Sequence, residues 1–185
     1  MSGRMIWAFF SDTHGNAEAL RSALASGRFD AMAHLGDGLR EAAALSRETG
    51  ISLYGVCGNE DGADDCPETR TVTLNGNTAY LLHGHRLDLN PYHGPDRWRL
   101  HYASMEALMA RHGARLLFFG HTHVPVLMRV NSGIICNPGS MFRGSRVPFT
   151  FAVAETGADG LRVKLMKHEG GGWIPFEEAL LEAKR

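Results

Sequence analysis

At 185 residues, 44% hydrophobic and 21% charged, the chain has the size and composition of one globular domain with a sizeable core. A formal net charge of −1 excludes the broad basic field of a general nucleic-acid binder, and no apolar run approaches membrane-spanning length. Ten histidines are the one unusual count, and they point towards metal. The three cysteines, Cys57, Cys66 and Cys136, are odd in number and lack zinc-type spacing. That composition fits a reducing compartment, with Cys57 and Cys136 packed as small apolar residues at strand ends. Met5–Phe10 is too short for a signal-peptide core, so the expected location is the cytoplasm.

In chain order, the apolar run Met5–Phe10 predicts a strand buried on both faces. It ends in Ser11-Asp12-Thr13-His14-Gly15-Asn16, where Asn16 is a fair N-cap for a helix over Ala17–Ala25. A second strand is expected over Phe29–Leu35, ending in Gly36-Asp37-Gly38. A helix over Leu39–Glu48 is closed by Gly50. The third strand, Ile51–Cys57, ends in Gly58-Asn59-Glu60-Asp61. This alternation is the pattern of a parallel sheet with right-handed crossovers. Beyond Arg70 the texture changes. Thr71–Leu74 and Thr78–Leu82 flank Asn75-Gly76, a hairpin signal, and the second of them runs into His83-Gly84-His85. A helix is expected over about Asp96–His112. The run Leu116–Phe119 enters Gly120-His121-Thr122-His123, and a hairpin about Asn131-Ser132-Gly133 joins Val124–Val130 to Gly133–Cys136. Asn137-Pro138-Gly139-Ser140 follows. Strands over Phe149–Glu155 and Leu161–Lys167 precede a tail, Pro175–Lys184, that reads as a short helix.

Five apolar runs thus end in polar clusters: Asp12/His14, Asp37, Asn59, His83/His85 and His121/His123. Residues i and i+2 of an extended segment project to one side, so each His-x-His pair can converge on one place. In open α/β sheets, ligands gather outside the carboxyl ends of the strands, where all five clusters can meet. Oxygen and nitrogen donors without thiolate suit Mn, Fe, Zn, Ni or Co rather than a structural cysteine zinc site. Seven donors are too many for one tetrahedral ion and suit two ions sharing a carboxylate. Two divalent ions bring four positive charges, of which Asp12 and Asp37 cancel two, leaving a site suited to an anion. Taken singly, Asp37 and Asn59 are also good turn residues.

The ordered set Ser-Asp-Thr-His-Gly-Asn, Gly-Asp-Gly, Gly-Asn-Glu-Asp, His-Gly-His, Gly-His-Thr-His and Asn-Pro-Gly-Ser resembles the calcineurin-like metallophosphoesterases, and within them the compact YfcE-type phosphodiesterases. The resemblance spans about Met5–Phe142. It implies a single α/β domain over residues 1–185, built as a four-layer αββα sandwich of two mixed sheets flanked by helices. It also implies two divalent ions, manganese first, with nickel, iron, cobalt or zinc as alternatives. Asp12, His14, Asp37 and His123 would hold one ion. Asp37, Asn59, His83 and His121 would hold the other, with Asp37 bridging. A hydroxide between the ions would attack phosphorus in line with the leaving oxygen, while Asn59 and His121 steady the phosphoryl oxygens. His85 would line or support the site.

Two departures from the family pattern matter. Many relatives place a histidine after Gly-Asn to protonate the leaving group, and this chain has Glu60. Loss of a general acid, worth about 10²–10⁴-fold, hurts least where the leaving group is an acidic phenol, so aryl phosphodiesters are expected to react better than alkyl monoesters. The Asp-Arg-Gly of phosphoprotein phosphatases is absent after Gly36-Asp37. The substrate expected is a small phosphodiester. An interaction scaffold like the retromer subunit Vps29, or a nucleotide-directed or nucleic-acid-directed hydrolase, is the alternative. A homo-oligomer through the hairpin-rich half or the Trp173–Lys184 tail is left open. Elsewhere, His34 reads as a core or sheet histidine, and His93, His101, His112 and His168 read as surface or loop positions. Arg97 and Arg99 read as a solvated helix start.

Overall fold

The computed structural model describes residues 4–62, 66–131 and 133–183. Its core strand β1 (Ile6–Phe10) alternates Trp7 and Phe9 on one face with Ala8 and Phe10 on the other, and all four are buried. Both faces are therefore covered, as the unbroken apolar run requires. β1 pairs in parallel with β2 (Ala31–His34), which pairs in parallel with β3 (Ser52–Gly55). The connections are α1 (Ala17–Ala25), capped by the Asn16 side chain on the Ala19 N–H, and α2 (Leu39–Thr49), closed by left-handed Gly50.

A second sheet holds β4 (Thr69–Leu74), β5 (Asn77–Leu82), β6 (Leu116–Phe118), β7 (Val126–Val130) and β8 (Gly133–Asn137), in the order β4-β5-β6-β8-β7. The pairs β5/β6 and β6/β8 are parallel, while β4/β5 and β7/β8 are antiparallel hairpins. Helix α3 (Pro95–Arg111) covers its outer face. The first sheet is completed by β9 (Thr150–Gly157), β10 (Gly160–Glu169) and β11 (Gly172–Glu182), in the order β11-β10-β9-β1-β2-β3.

Three apolar clusters define the layers. Trp7, Phe9, Leu35 and Val163 meet Leu81, Phe118, Ile134 and Cys136 between the sheets. Phe10, Met32 and Phe151 pack on Leu20, Leu24 and Leu45 of α1 and α2. Leu82, Leu117 and Phe119 pack on Met105 and Met109 of α3. The fold is thus the expected αββα sandwich of two mixed sheets. No helix among the described residues is long and apolar enough to cross a membrane.

Three expectations need correction. The tail is a strand, not a helix. β11 runs antiparallel to β10 and buries Leu181 in the inter-sheet core, and a bulge opposite Leu165/Met166 accommodates Pro175. At the sheet edge the missing proline N–H breaks no ladder, and pairing overrides the helix propensity of Glu177–Glu182. Lys184 lies outside the described residues. Second, Cys57 is not a free thiol. It is joined to Cys66 across a Cα–Cα distance of 5.4 Å, and Cys136 alone stays free and buried. Third, His101 is buried rather than superficial. Its Nε2 lies 3.0 Å from His93 Nδ1, and its ring packs on Trp98. His34 is buried as expected. Arg97 and Arg99 form exposed pairs with Asp88 and Asp96.

Candidate metal centre

The ends of β1, β2, β3, β5 and β6 lie at one edge of the two sheets, stitched by backbone hydrogen bonds between chain-distant loops. The Asp12 N–H donates to Gly36 O, the His14 N–H to Asp37 O, and the Gly120 N–H to His83 O, each at 2.8–3.0 Å. The Asn137 amide donates to Gly120 O and Thr122 Oγ1, and Ser140 Oγ donates to Asp12 O, so Asn-Pro-Gly-Ser clamps the two ligand loops together. Gly120 is obligatory there, because an added Cβ would strike Ser11 Oγ. Seven non-glycine residues among those described have positive φ, and five of them are Asp12, His14, Asp37, His121 and His123. Such conformations are costly for non-glycine residues and cluster where a site over-determines them.

The donors fall into two groups. Asp12, His14 and His123 place one ligand atom each within 4.8 Å of one another, and so do Asp37, His83 and His121. Asp37 also forms a group with His14 and Glu60, so it reaches both sets. His14 Nδ1 donates to Glu60 Oε2 at 2.9 Å, which leaves Nε2 bare and 3.1 Å from His123 Nε2. Two imidazole nitrogens face to face need a proton or a cation between them, and 3.1 Å suits two ligands on one ion at about 2.0–2.1 Å each. Asp12 Oδ1 is buried without a hydrogen-bond partner, 3.3 Å from His123 Nε2. Its other oxygen accepts from Ser11 Oγ and the His121 N–H.

His83 repeats the pattern. Its Nδ1–H donates to Leu35 O at 2.6 Å, so the bare Nε2 faces Asp37 Oδ2 and Asn59 Oδ1, both at 3.2 Å. Three electron-pair donors converging on one point need a proton or a cation between them, as at His14. The residues present thus fit two divalent ions.

Electrostatics follow from this crowding. Burial opposes ionisation of Asp37, but in the metal-free protein His83 carrying a proton on Nε2, together with the Glu60 N–H, wins and holds its carboxyl near a pKa of about 2. Burial pushes His83 down, yet Asp37 and Asp12 outweigh it and raise it. Asp12 raises His123, whereas burial lowers His121. The cleft over these groups measures about 400 Å³ and is rimmed by Asn59, Glu60 and Phe142. The Phe142 ring lies 5.0 Å from that of His14 and 5.8 Å from that of His123.

His85, expected to line or support the site, stands beside His83 with its Nε2 3.4 Å from Glu68, and it joins neither ligand group. Glu60 supports His14. Sequence reasoning missed Asp61, whose carboxylate accepts from the N–H groups of Asp37, Gly38, Leu39 and Gly58 at 2.7–3.1 Å. Those four hydrogen bonds outweigh burial and lower its pKa. The missed signal was an acid following a Gly-Asn turn, the place for an Asx-type cap. Phe142 was passed over because a single aromatic after a turn carries no periodicity.

Three solved structures are similar along nearly their whole length. A predicted phosphoesterase from Streptococcus pneumoniae is 22% identical, covering 95% of this chain and 99% of that one, with a TM-score of 0.71. Vps29 from Entamoeba histolytica, complexed with zinc, is 19% identical over 95% and 99%, with a TM-score of 0.74. An archaeal phosphodiesterase is 18% identical over 87% and 99%, with a TM-score of 0.66. No curated protein sequence matches the chain. The family model of the calcineurin-like phosphoesterase superfamily domain matches residues 5–159, and the chain belongs to that superfamily.

Proposed function

We propose that this protein is a two-metal phosphodiesterase acting on small phosphodiesters, with Mn²⁺ as the first candidate ion. The carrying observation is the pair of bare imidazole nitrogens, on His14 and His83, each fixed in tautomer by an acceptor behind it and each facing further donors. A chain that served only as a scaffold would have no use for five ligand residues held in strained backbone. In this reading Asp12, His14, Asp37 and His123 hold one ion, and Asp37, Asn59, His83 and His121 hold the other. The bound ions would supply Lewis acidity and an activated water.

The protein's own groups do the rest. The Asn59 amide and the His121 ring face the cleft, where they can steady phosphoryl oxygens as charge builds. Phe142 offers an apolar wall to one arm of the ester. Glu60, occupied by His14, is not placed to donate a proton, so leaving groups that need none are favoured. The test is hydrolysis of bis-p-nitrophenyl phosphate by metal-stripped protein after Mn²⁺ addition, beside an alkyl phosphomonoester. Manganese-dependent turnover of the aryl diester, lost in His121→Ala, is expected. Equal or faster turnover of the alkyl monoester would contradict the reading, and no turnover with Mn²⁺, Ni²⁺, Co²⁺ or Zn²⁺ would favour a scaffold.

A further inference from the structure

A cavity of about 650 Å³ lies beside the metal cleft. It opens where α2 and the edge strand β3 approach β4, the edge strand of the other sheet. Three arginines line it. Arg40 and Arg47 lie seven residues apart on one face of α2, and Arg70 projects from β4. Arg70 is anchored through Nε to Gly55 O at 3.2 Å, which leaves the two terminal nitrogens of its guanidinium to the cavity. Among the described residues none of the three has a carboxylate within ion-pair distance, whereas seven other arginines do. The two acids on the wall are committed elsewhere. Asp61 is filled by four backbone N–H groups, and Glu60 holds His14.

Glu60 lines both this cavity and the metal cleft, so the two spaces adjoin. Forked guanidinium donors that no described carboxylate pairs are the chemistry that recognises phosphate. We infer that the Arg40–Arg47–Arg70 cavity binds a second phosphate group of the substrate, so that the substrate is a phosphodiester carrying a terminal phosphomonoester on one arm. The inference rests on the phosphodiesterase reading for its substrate half, and on the cavity alone for the anion site.

Two arms test it. In the first, inorganic pyrophosphate is titrated calorimetrically into metal-stripped protein, wild type and the Arg47→Gln and Arg70→Gln variants. Each variant should bind about tenfold more weakly, one guanidinium–phosphate contact being lost. In the second, Mn²⁺-loaded enzyme is given the 5′-(p-nitrophenyl phosphate) ester of thymidine with and without a 3′-phosphate. Wild type should prefer the 3′-phosphorylated ester by about tenfold or more in kcat/KM, mainly through KM. The preference should collapse towards unity in the Arg40→Gln/Arg47→Gln/Arg70→Gln variant, its folding checked by an unchanged thermal midpoint. Pyrophosphate binding indifferent to both single substitutions would overturn the site. Arginine-dependent binding without ester preference would assign the cavity to a free anion and overturn the substrate half. Inertness towards both esters would refute the phosphodiesterase reading and, with it, that half, while the calorimetric result would stand on its own.

Discussion

Glu60 stands after Gly58-Asn59, where many relatives place a histidine, and in the fold its carboxylate faces His14 Nδ1 at 2.9 Å and fixes which ring nitrogen is bare. Partners behind metal-binding histidines typically matter 10- to 100-fold for affinity. Glu60→Ala should therefore weaken manganese binding by about that factor, read by calorimetry on stripped protein, with Glu60→Gln, which keeps an acceptor, intermediate. Affinity equal to wild type in both would show that His14 needs no partner. Acidity should act in the same place. His83 and His123 are raised in the metal-free protein by Asp37 and Asp12, so protons compete for the nitrogens that take metal. Asp37, held near 2, stays anionic and does not compete. Manganese affinity should fall as pH drops from about 8 to about 6, and a flat profile would contradict the ligand assignment. Phe142→Ala should raise KM for aryl diesters several-fold through loss of the apolar wall beside His14 and His123.

At the scale of elements, the site is five strand ends held in register by loop-to-loop hydrogen bonds. Asp61 is the chief fastener between the loops after β2 and β3. Asp61→Asn should cost the metal-free protein about 1.5–3 kcal/mol in urea unfolding, since charge-assisted bonds to four N–H groups are weakened or lost. A smaller loss would mean the loops are held chiefly by the backbone pairs of Asp12 with Gly36 and His14 with Asp37.

Strands with unbroken apolar runs, such as Trp7–Phe10 and Leu116–Phe119, were legible because both faces are buried. The clusters following them were legible because ligand chemistry demands particular side chains. β11 was not legible. Its Glu177–Glu178 pair and Leu180–Leu181 suit a helix locally, and only pairing with β10 makes the segment a strand. The Cys57–Cys66 bond was hidden for a related reason, since spacing along the chain does not report a Cα–Cα distance of 5.4 Å.

For the whole molecule, the αββα layering places a wholly buried histidine, His34, beneath the site. Its Nε2 meets Thr13 Oγ1 at 3.0 Å, and burial lowers its pKa to about 4. The unfolded chain, with an ordinary value near 6.5, takes up the proton first. Stability should therefore fall as pH drops from about 6.5 towards 4, by up to about 3 kcal/mol. His34→Gln should flatten that part of the profile, and an unchanged slope would place the acid sensitivity elsewhere.

The two-metal centre itself is tested most directly by titrating Mn²⁺ into stripped protein while following both bound metal and turnover of bis-p-nitrophenyl phosphate. The account predicts that activity rises to a plateau at two bound ions per chain, and that His121→Ala binds fewer ions and stays inactive. Full activity at one ion, or two ions bound without turnover, would contradict it.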